Sequence, residues 1–184
     1  MRQDLYVSMK RSGIDPEQLK ELHRIILTTD GTVTDILEAY LRERMTVVAL
    51  HHETIASGAL PVPDQAVLGV AEEGGEVLKR EILLRGEISE SCHLYASSLI
   101  ALFRLPPAVR NGLMEKQKSI GHVLLEQRIP TFKEIVDCHR ERAGALAARF
   151  AISEHAPLLS RTYVMSIERL PVMVITEKFP EFGR

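Results

Sequence analysis

Two runs of this chain alternate their side chains with the two-residue period of a strand, and each sets one charge on its apolar face. In Leu78-Lys79-Arg80-Glu81-Ile82-Leu83-Leu84, Arg80 shares a face with Leu78, Ile82 and Leu84. In Val172-Met173-Val174-Ile175-Thr176-Glu177-Lys178-Phe179, Glu177 shares a face with Met173, Ile175 and Phe179. A guanidinium or carboxylate directed into a core is costly unless it is paired or meets a polar ligand. The fold must therefore join these charges in a salt bridge within the sheet layer, or arrange them around a small polar molecule.

A length of 184 residues suits one domain, residues 1–184, with a sizeable core. The formal net charge of −2 supplies no basic field for nucleic acid. Aromatic residues make up 5% of the chain and Trp is absent, which argues against a surface built on stacked aromatics. The start, Met1 to Tyr6, has no apolar leader-like run, and no stretch approaches membrane-spanning length. Two cysteines, Cys92 and Cys138, make no disulfide framework, so a cytoplasmic location is expected.

Patterning gives helices, strands, helices and strands in that order. Ile14-Asp15-Pro16 is expected to open a helix bearing Leu19, Leu22, Ile25 and Ile26. After the Asp30-Gly31 break, Val33, Ile36, Leu37, Tyr40 and Leu41 follow helical spacing, with Thr32 and Asp35 as a capping pair. Met45 to His51 reads as a strand, with Glu53 to Ser57 its hairpin partner; Pro61 to Asp64 reads as a loop. Ser91 to Ile100 is an antiparallel neighbour of the Arg80 strand. Helices are expected to start at Pro106-Pro107, over Ile120 to Leu124, and over Thr131 to Ala148; Arg161 to Ile167 and Val172 to Phe179 form the last strands. Clustered strands with short returns predict an α+β fold on an antiparallel sheet.

Other candidate sites are weaker. Cys92-His93 and Cys138-His139 place neighbours on opposite strand faces and lack zinc-ligand spacing, so no metal is expected. His51-His52-Glu53 has the same defect, and a solvated strand end is the simpler reading. No P-loop, dinucleotide or nucleophile-elbow pattern is present. Arg42-Glu43-Arg44 reads as a solvated helix end, and Arg161 as either a second cationic group or a surface residue.

Lys79 to Leu84 resembles the Arg-bearing strand of the bacterial chorismate lyases (chorismate–pyruvate lyases), and Ile175-Thr176-Glu177-Lys178-Phe179-Pro180 resembles their final strand. Lys118 to Leu124 is similar to the family's Pro-Leu-Gly segment, and Asp30 to Thr34 stands where those enzymes carry a Ser-Met-Thr-like element. The likeness is to a divergent branch, nearer the archaeal and actinobacterial relatives. It implies a six-stranded antiparallel sheet whose helical flaps enclose a small aromatic carboxylic acid. It further implies a carbon–oxygen lyase, without cofactor, that converts chorismate to 4-hydroxybenzoate and pyruvate. By position, Arg80 would hold the ring carboxylate and Glu177 would stand near the ring hydroxyl, these two being the catalytic pair. Val33, Thr34, Ile120 and Gly121 would complete the enclosure, and Arg161 aligns with Arg residues opening the corresponding strand. Two family features depart: a second Arg is replaced within Tyr95-Ala96-Ser97-Ser98, and a Thr-Arg element corresponds to Thr131-Phe132.

The competing reading is a non-catalytic sensor for a small aromatic acid, since the same fold resembles the effector-binding domain of a family of transcription regulators. Such regulators carry a winged helix, for which the residues ahead of Asp30-Gly31 are expected to be too few. A purely structural module would instead require Arg80 and Glu177 to form a dry salt bridge.

Overall fold

The computed structural model of the chain describes residues 9–181; the run Met1 to Tyr6 lies outside the described residues. Six strands form one antiparallel sheet: β1 (Met45–Ala56), β2 (Glu76–Gly86), β3 (Cys92–Ala101), β4 (Phe132–Arg142), β5 (Pro157–Ile167) and β6 (Leu170–Pro180). Their order across the sheet is β1-β2-β3-β6-β5-β4, with antiparallel pairing throughout. The predicted α+β architecture with a six-stranded antiparallel sheet is the one observed.

Two helical pairs cover one sheet face. Helices α1 (Glu21–Thr28) and α2 (Val33–Leu41) bury Leu22, Ile26, Val33 and Leu37 over Ile82, Leu84, Leu94, Ala96 and Phe179. Beyond α3 (Val62–Leu68), helices α4 (Pro107–Met114) and α5 (Ile120–Glu126) bury Val109, Leu113, Val123 and Leu124 over Leu78, Ile100, Met165, Met173 and Ile175. Each fully buried Leu or Ile contributes about 1.5–3 kcal/mol, so both pairs are anchored by apolar burial. The strand register leaves a seam between the two clusters. Leu78 and Ile82 belong to different clusters, and Arg80, with its cross-strand neighbour Ser98, lies between them. The opposite sheet face is covered locally, at one end by α6 (Ala147–Phe150) with Leu158, at the other by α3 with Leu60 and Val70.

Five expectations are corrected. Residues Thr131 to Ala148 are not a helix: Phe132–Arg142 is the edge strand β4, followed by a tight turn and α6. Met45–Ala56 is one long strand rather than a hairpin, and Ser57 opens the short 3-10 turn that follows. In both places a β-bulge, at Val136 and at Leu50, breaks the two-residue alternation that marks a strand. Pro61-Val62-Pro63 starts α3, since proline is tolerated in the first helical turn. Asp15 organises a turn through Glu17 N and the Gln18 side chain, so α1 begins later than expected. Thr32 does stand at the start of α2, but its side chain makes no capping bond.

The β5–β6 hairpin turns on Glu168 and Arg169, both with left-handed φ (49° and 69°). Such two-residue turns match the twist of paired strands and fix their register. Here that register, with one irregularity between Met165 and Ser166, sets Arg161 directly opposite Glu177.

Candidate active site

The seam between the helical pairs is a cavity of about 70 Å³. One water needs roughly 10–15 Å³, so the space suits a molecule about the size of a single substituted ring. Its floor is apolar and comes from the sheet: Ile82, Leu84, Leu94, Ala96, Met165 and Ile175. Its roof comes from the two flaps, Thr32, Val33 and Thr34 at the start of α2, and Ser119, Ile120 and Gly121 at the start of α5. The flaps touch. A Cβ on Gly121 would lie 2.6 Å from Thr32 Cγ2, and His122 Nε2 lies 3.4 Å from Asp35 Oδ1. Ser119 Oγ accepts the His122 N–H at 3.2 Å and so caps α5 locally.

Arg80, Ser98, Lys133, Tyr163 and Glu177 bring polar atoms into this apolar chamber. Arg80 is only 2% exposed. Its Nη2 donates to the carbonyls of Lys116 (3.0 Å) and Lys118 (2.5 Å), which fastens the segment leading into α5. Its Nε is buried without a partner, and among the described residues no carboxylate pairs with it. Burial pulls the guanidinium pKa down, the electrostatic signature of a cation lacking a counter-charge. On the neighbouring strand His52 stands opposite Arg80, and both its ring nitrogens are buried without partners. Its pKa is lowered, first by burial and then by the charges of Arg80 and Lys116.

Glu177 is engaged from behind. Arg161 Nε donates to Oε2 at 2.7 Å, and Tyr163 Oη donates to Oε1 at 3.1 Å. Arg161 is fully buried and also donates through Nη1 to the carbonyls of Ile26 and, at 3.0 Å, Thr29. Burial acts to lower its pKa, but the charge of Glu177 leads the opposing effects and the net direction is upward. Tyr163 is raised well above the usual phenol range by burial and by the Glu177 charge, so it remains a proton donor. The carboxylate keeps lone-pair capacity for a further donor from the cavity side.

The structure thus brings Arg80, Glu177, Val33, Thr34, Ile120 and Gly121 to one cavity. Arg161 does not line it and reaches it through Glu177, which it bonds, and Tyr163, whose ring it overlies at 5.2 Å. The salt bridge between Arg80 and Glu177 required by a purely structural reading does not form. Glu43, expected on a solvated helix end, accepts the Ile88 and Ser89 N–H groups and faces buried His93 at 3.9 Å. Cys138 is buried, its pKa pushed up to about 12 by desolvation, and Cys92 is half-buried. Among the described residues no group of three or more His, Cys, Asp or Glu is arranged to hold a metal ion. Among the same residues no helix is long and apolar enough to cross a membrane.

Lys133 and Tyr163 are cavity residues that sequence patterning missed. Lys133 sits on β4, where a helical reading gives it a solvated face. Tyr163 follows Arg161 by two residues and so shares its inward face, a usable signal once Arg161 is taken as buried.

A family model described as chorismate pyruvate-lyase, Rv2949c-like, matches residues 27–182, a span that includes both flaps and every polar residue of the cavity. A chorismate pyruvate-lyase of Mycobacterium tuberculosis is 28% identical over 175 residues, covering 93% of this chain and 87% of that one. The corresponding enzyme of Mycobacterium leprae is 30% identical over 129 residues, covering 68% of this chain and 59% of that one. Among solved structures, the effector domain of PhnF from Mycobacterium smegmatis superposes with a TM-score of 0.62 at 15% identity. It covers 82% of this chain and 88% of that domain, a likeness of fold alone. With the match running through both flaps and both charged strands, the chain belongs to the Rv2949c-like chorismate pyruvate-lyase family.

Proposed function

We propose that this protein is a chorismate lyase that eliminates pyruvate from chorismate and leaves 4-hydroxybenzoate. The observation that carries the reading is Arg80: a buried guanidinium with no internal counter-charge, lining the same small apolar cavity as Glu177. A buried cation of this kind is stabilised when a ligand carboxylate completes it, and the guanidinium fork suits that shape. The ring carboxylate of chorismate takes that place. The hydroxyl-bearing C4, para to it, then points toward Glu177.

The chemistry asks little beyond this. The proton on C4 departs, the C3–oxygen bond to the enolpyruvyl group breaks, and the ring becomes aromatic. The released enolpyruvate gains a proton at its methylene carbon and becomes pyruvate, which balances the proton lost from C4. Aromatisation drives the reaction, so holding the ring correctly and moving one proton suffice. Glu177 receives or relays that proton, and Arg161 and Tyr163 fix its carboxylate in place. The flaps meeting at Thr32 and Gly121 exclude water from the ring. The scheme uses no metal or organic cofactor. A cytoplasmic setting belongs to the same proposal, supported by two unpaired cysteines.

Incubation with chorismate, followed by chromatography for 4-hydroxybenzoate and a coupled assay for pyruvate, tests the reading. Both products should appear in equal amounts. Stabilisation by chorismate without turnover would make the protein a sensor, and 3-hydroxybenzoate as product would replace the reaction with a related elimination.

A further inference from the structure

Lys133 enters the cavity from the side opposite Arg80. The two lie on β4 and β2, four strand steps apart, or about 19 Å between backbones across a flat sheet. Their side chains nevertheless line the same chamber, and Glu177 stands between them on β6. Lys133 Nζ donates to the Gly31 carbonyl at 2.9 Å and lies 5.5 Å from the centre of the Tyr163 ring. An ammonium has three donors, so two are left over. Among the described residues Lys133 forms no ion pair. Burial draws its pKa down while Glu177 and Asp30 oppose that shift. Two cations on opposite sides of one small apolar cavity, neither holding an internal carboxylate, describe a receptor for a molecule with two anionic ends.

We propose that Lys133 binds the second carboxylate of the substrate, the one carried on the departing three-carbon unit, and that the site thereby selects dicarboxylates over monocarboxylates. The inference rests on the lyase reading for the identity of the substrate, but the cation pair itself does not require turnover. Lys133 also ties the flap at Gly31 to the sheet, so a carboxylate on Nζ and closure of that flap involve the same side chain.

Two ring acids inert to elimination, 3-(carboxymethoxy)benzoate and 3-methoxybenzoate, whose ether stands meta to the ring carboxylate as the enolpyruvyl ether does, separate the possibilities by calorimetric titration of the full chain. The wild type should bind the dicarboxylate more tightly. Lys133→Met should weaken the dicarboxylate by about ten- to a hundredfold, the worth of one hydrogen bond to a charged group, and leave the monocarboxylate little changed. Lys133→Arg, which keeps the charge, should restore most of the preference. Equal weakening of both acids in Lys133→Met would overturn the proposal and leave Lys133 as a prop for Gly31; so would a wild type that does not distinguish them. If chorismate is not turned over yet the preference and its loss are observed, the lyase reading fails and the dicarboxylate site stands. If turnover is present and Lys133→Met keeps wild-type kcat and KM, the reverse holds.

Discussion

Arg161 Nε donates to the Glu177 carboxylate at 2.7 Å from the position directly opposite on the neighbouring strand. The acid of the cavity is therefore neutralised from below, by a residue with no cavity surface, while Arg80 keeps its charge uncompensated. Had the carboxylate paired with Arg80 instead, the site would be closed to an anionic ligand.

That arrangement predicts a divided outcome for Glu177→Gln. The variant loses the counter-charge of a fully buried Arg161, and breaking a buried pair costs about 3–5 kcal/mol. The retained amide oxygen should hold the loss near the lower end, measured as a shift in the urea midpoint. Binding of 4-hydroxybenzoate should persist, whereas turnover should fall by roughly two to four orders of magnitude, as for a lost general acid or base. Normal turnover in a folded Gln variant would reduce Glu177 to positioning.

Arg80→Met should behave in the opposite way. It removes a desolvated charge and two bonds to the Lys116 and Lys118 carbonyls together. These effects oppose, so stability should change by no more than about 2 kcal/mol. Binding of the acid should be lost. In the wild type 4-hydroxybenzoate should raise the melting temperature more than phenol, because only the acid completes Arg80. Equal shifts from the two ligands would remove Arg80 from the binding account.

Arg80 and Glu177 were legible because an interior strand with unbroken alternation announces any charge placed on its apolar face. Lys133 was not, for a physical reason. Phe132, Ile135 and Val136 have helix-like spacing, and the bulge at Val136 interrupts the alternation that would have revealed an edge strand. The bulge at Leu50 hid the continuity of β1 in the same way. Arg161 could be placed on a strand, but its burial depends on register. The β5–β6 turn sets that register through two non-glycine residues in left-handed conformation, which no glycine or asparagine advertised. The helical pairs could be read from their stripes, whereas their meeting over a seam follows only from tertiary packing.

The contact between the flaps is testable with a pair of substitutions. Gly121→Ala suits the helix, where Ala is favoured by about 1 kcal/mol, but drives a methyl group against Thr32 Cγ2. One flap must move, and a displacement near 1 Å at a positioned substrate can lower kcat/KM by up to about a hundredfold. Thr32→Ala makes room, and the Thr32 side chain makes no capping bond that would be lost. The double variant should recover most of the activity, with a coupling of at least about 1 kcal/mol in the cycle. Additive losses in the double variant would show that the flaps do not press on each other in the working enzyme.

Acid should weaken the fold in the range where free histidine takes up protons. His23, His52 and His93 all have lowered pKa values, with burial the largest cause in each. For His93 the nearby Glu43 opposes the shift without reversing it. In the unfolded chain these rings take up protons near the ordinary value of about 6.5. Below that pH the unfolded state therefore binds more protons than the native one, so stability rises with pH across the window. It is fully present above about 6.5 and is lost progressively as pH falls toward the depressed native values. The lowered pKa of Glu43 acts only beneath the ordinary carboxylate range and does not enter this window. Urea midpoints should be level from about pH 8 to about pH 7 and should decline from about pH 6.5 to about pH 5.5. His93→Gln should flatten part of that decline, because the replacement has no proton to gain. A midpoint that holds steady or rises as pH falls through the same window would show that the native histidines accept protons as readily as the unfolded ones.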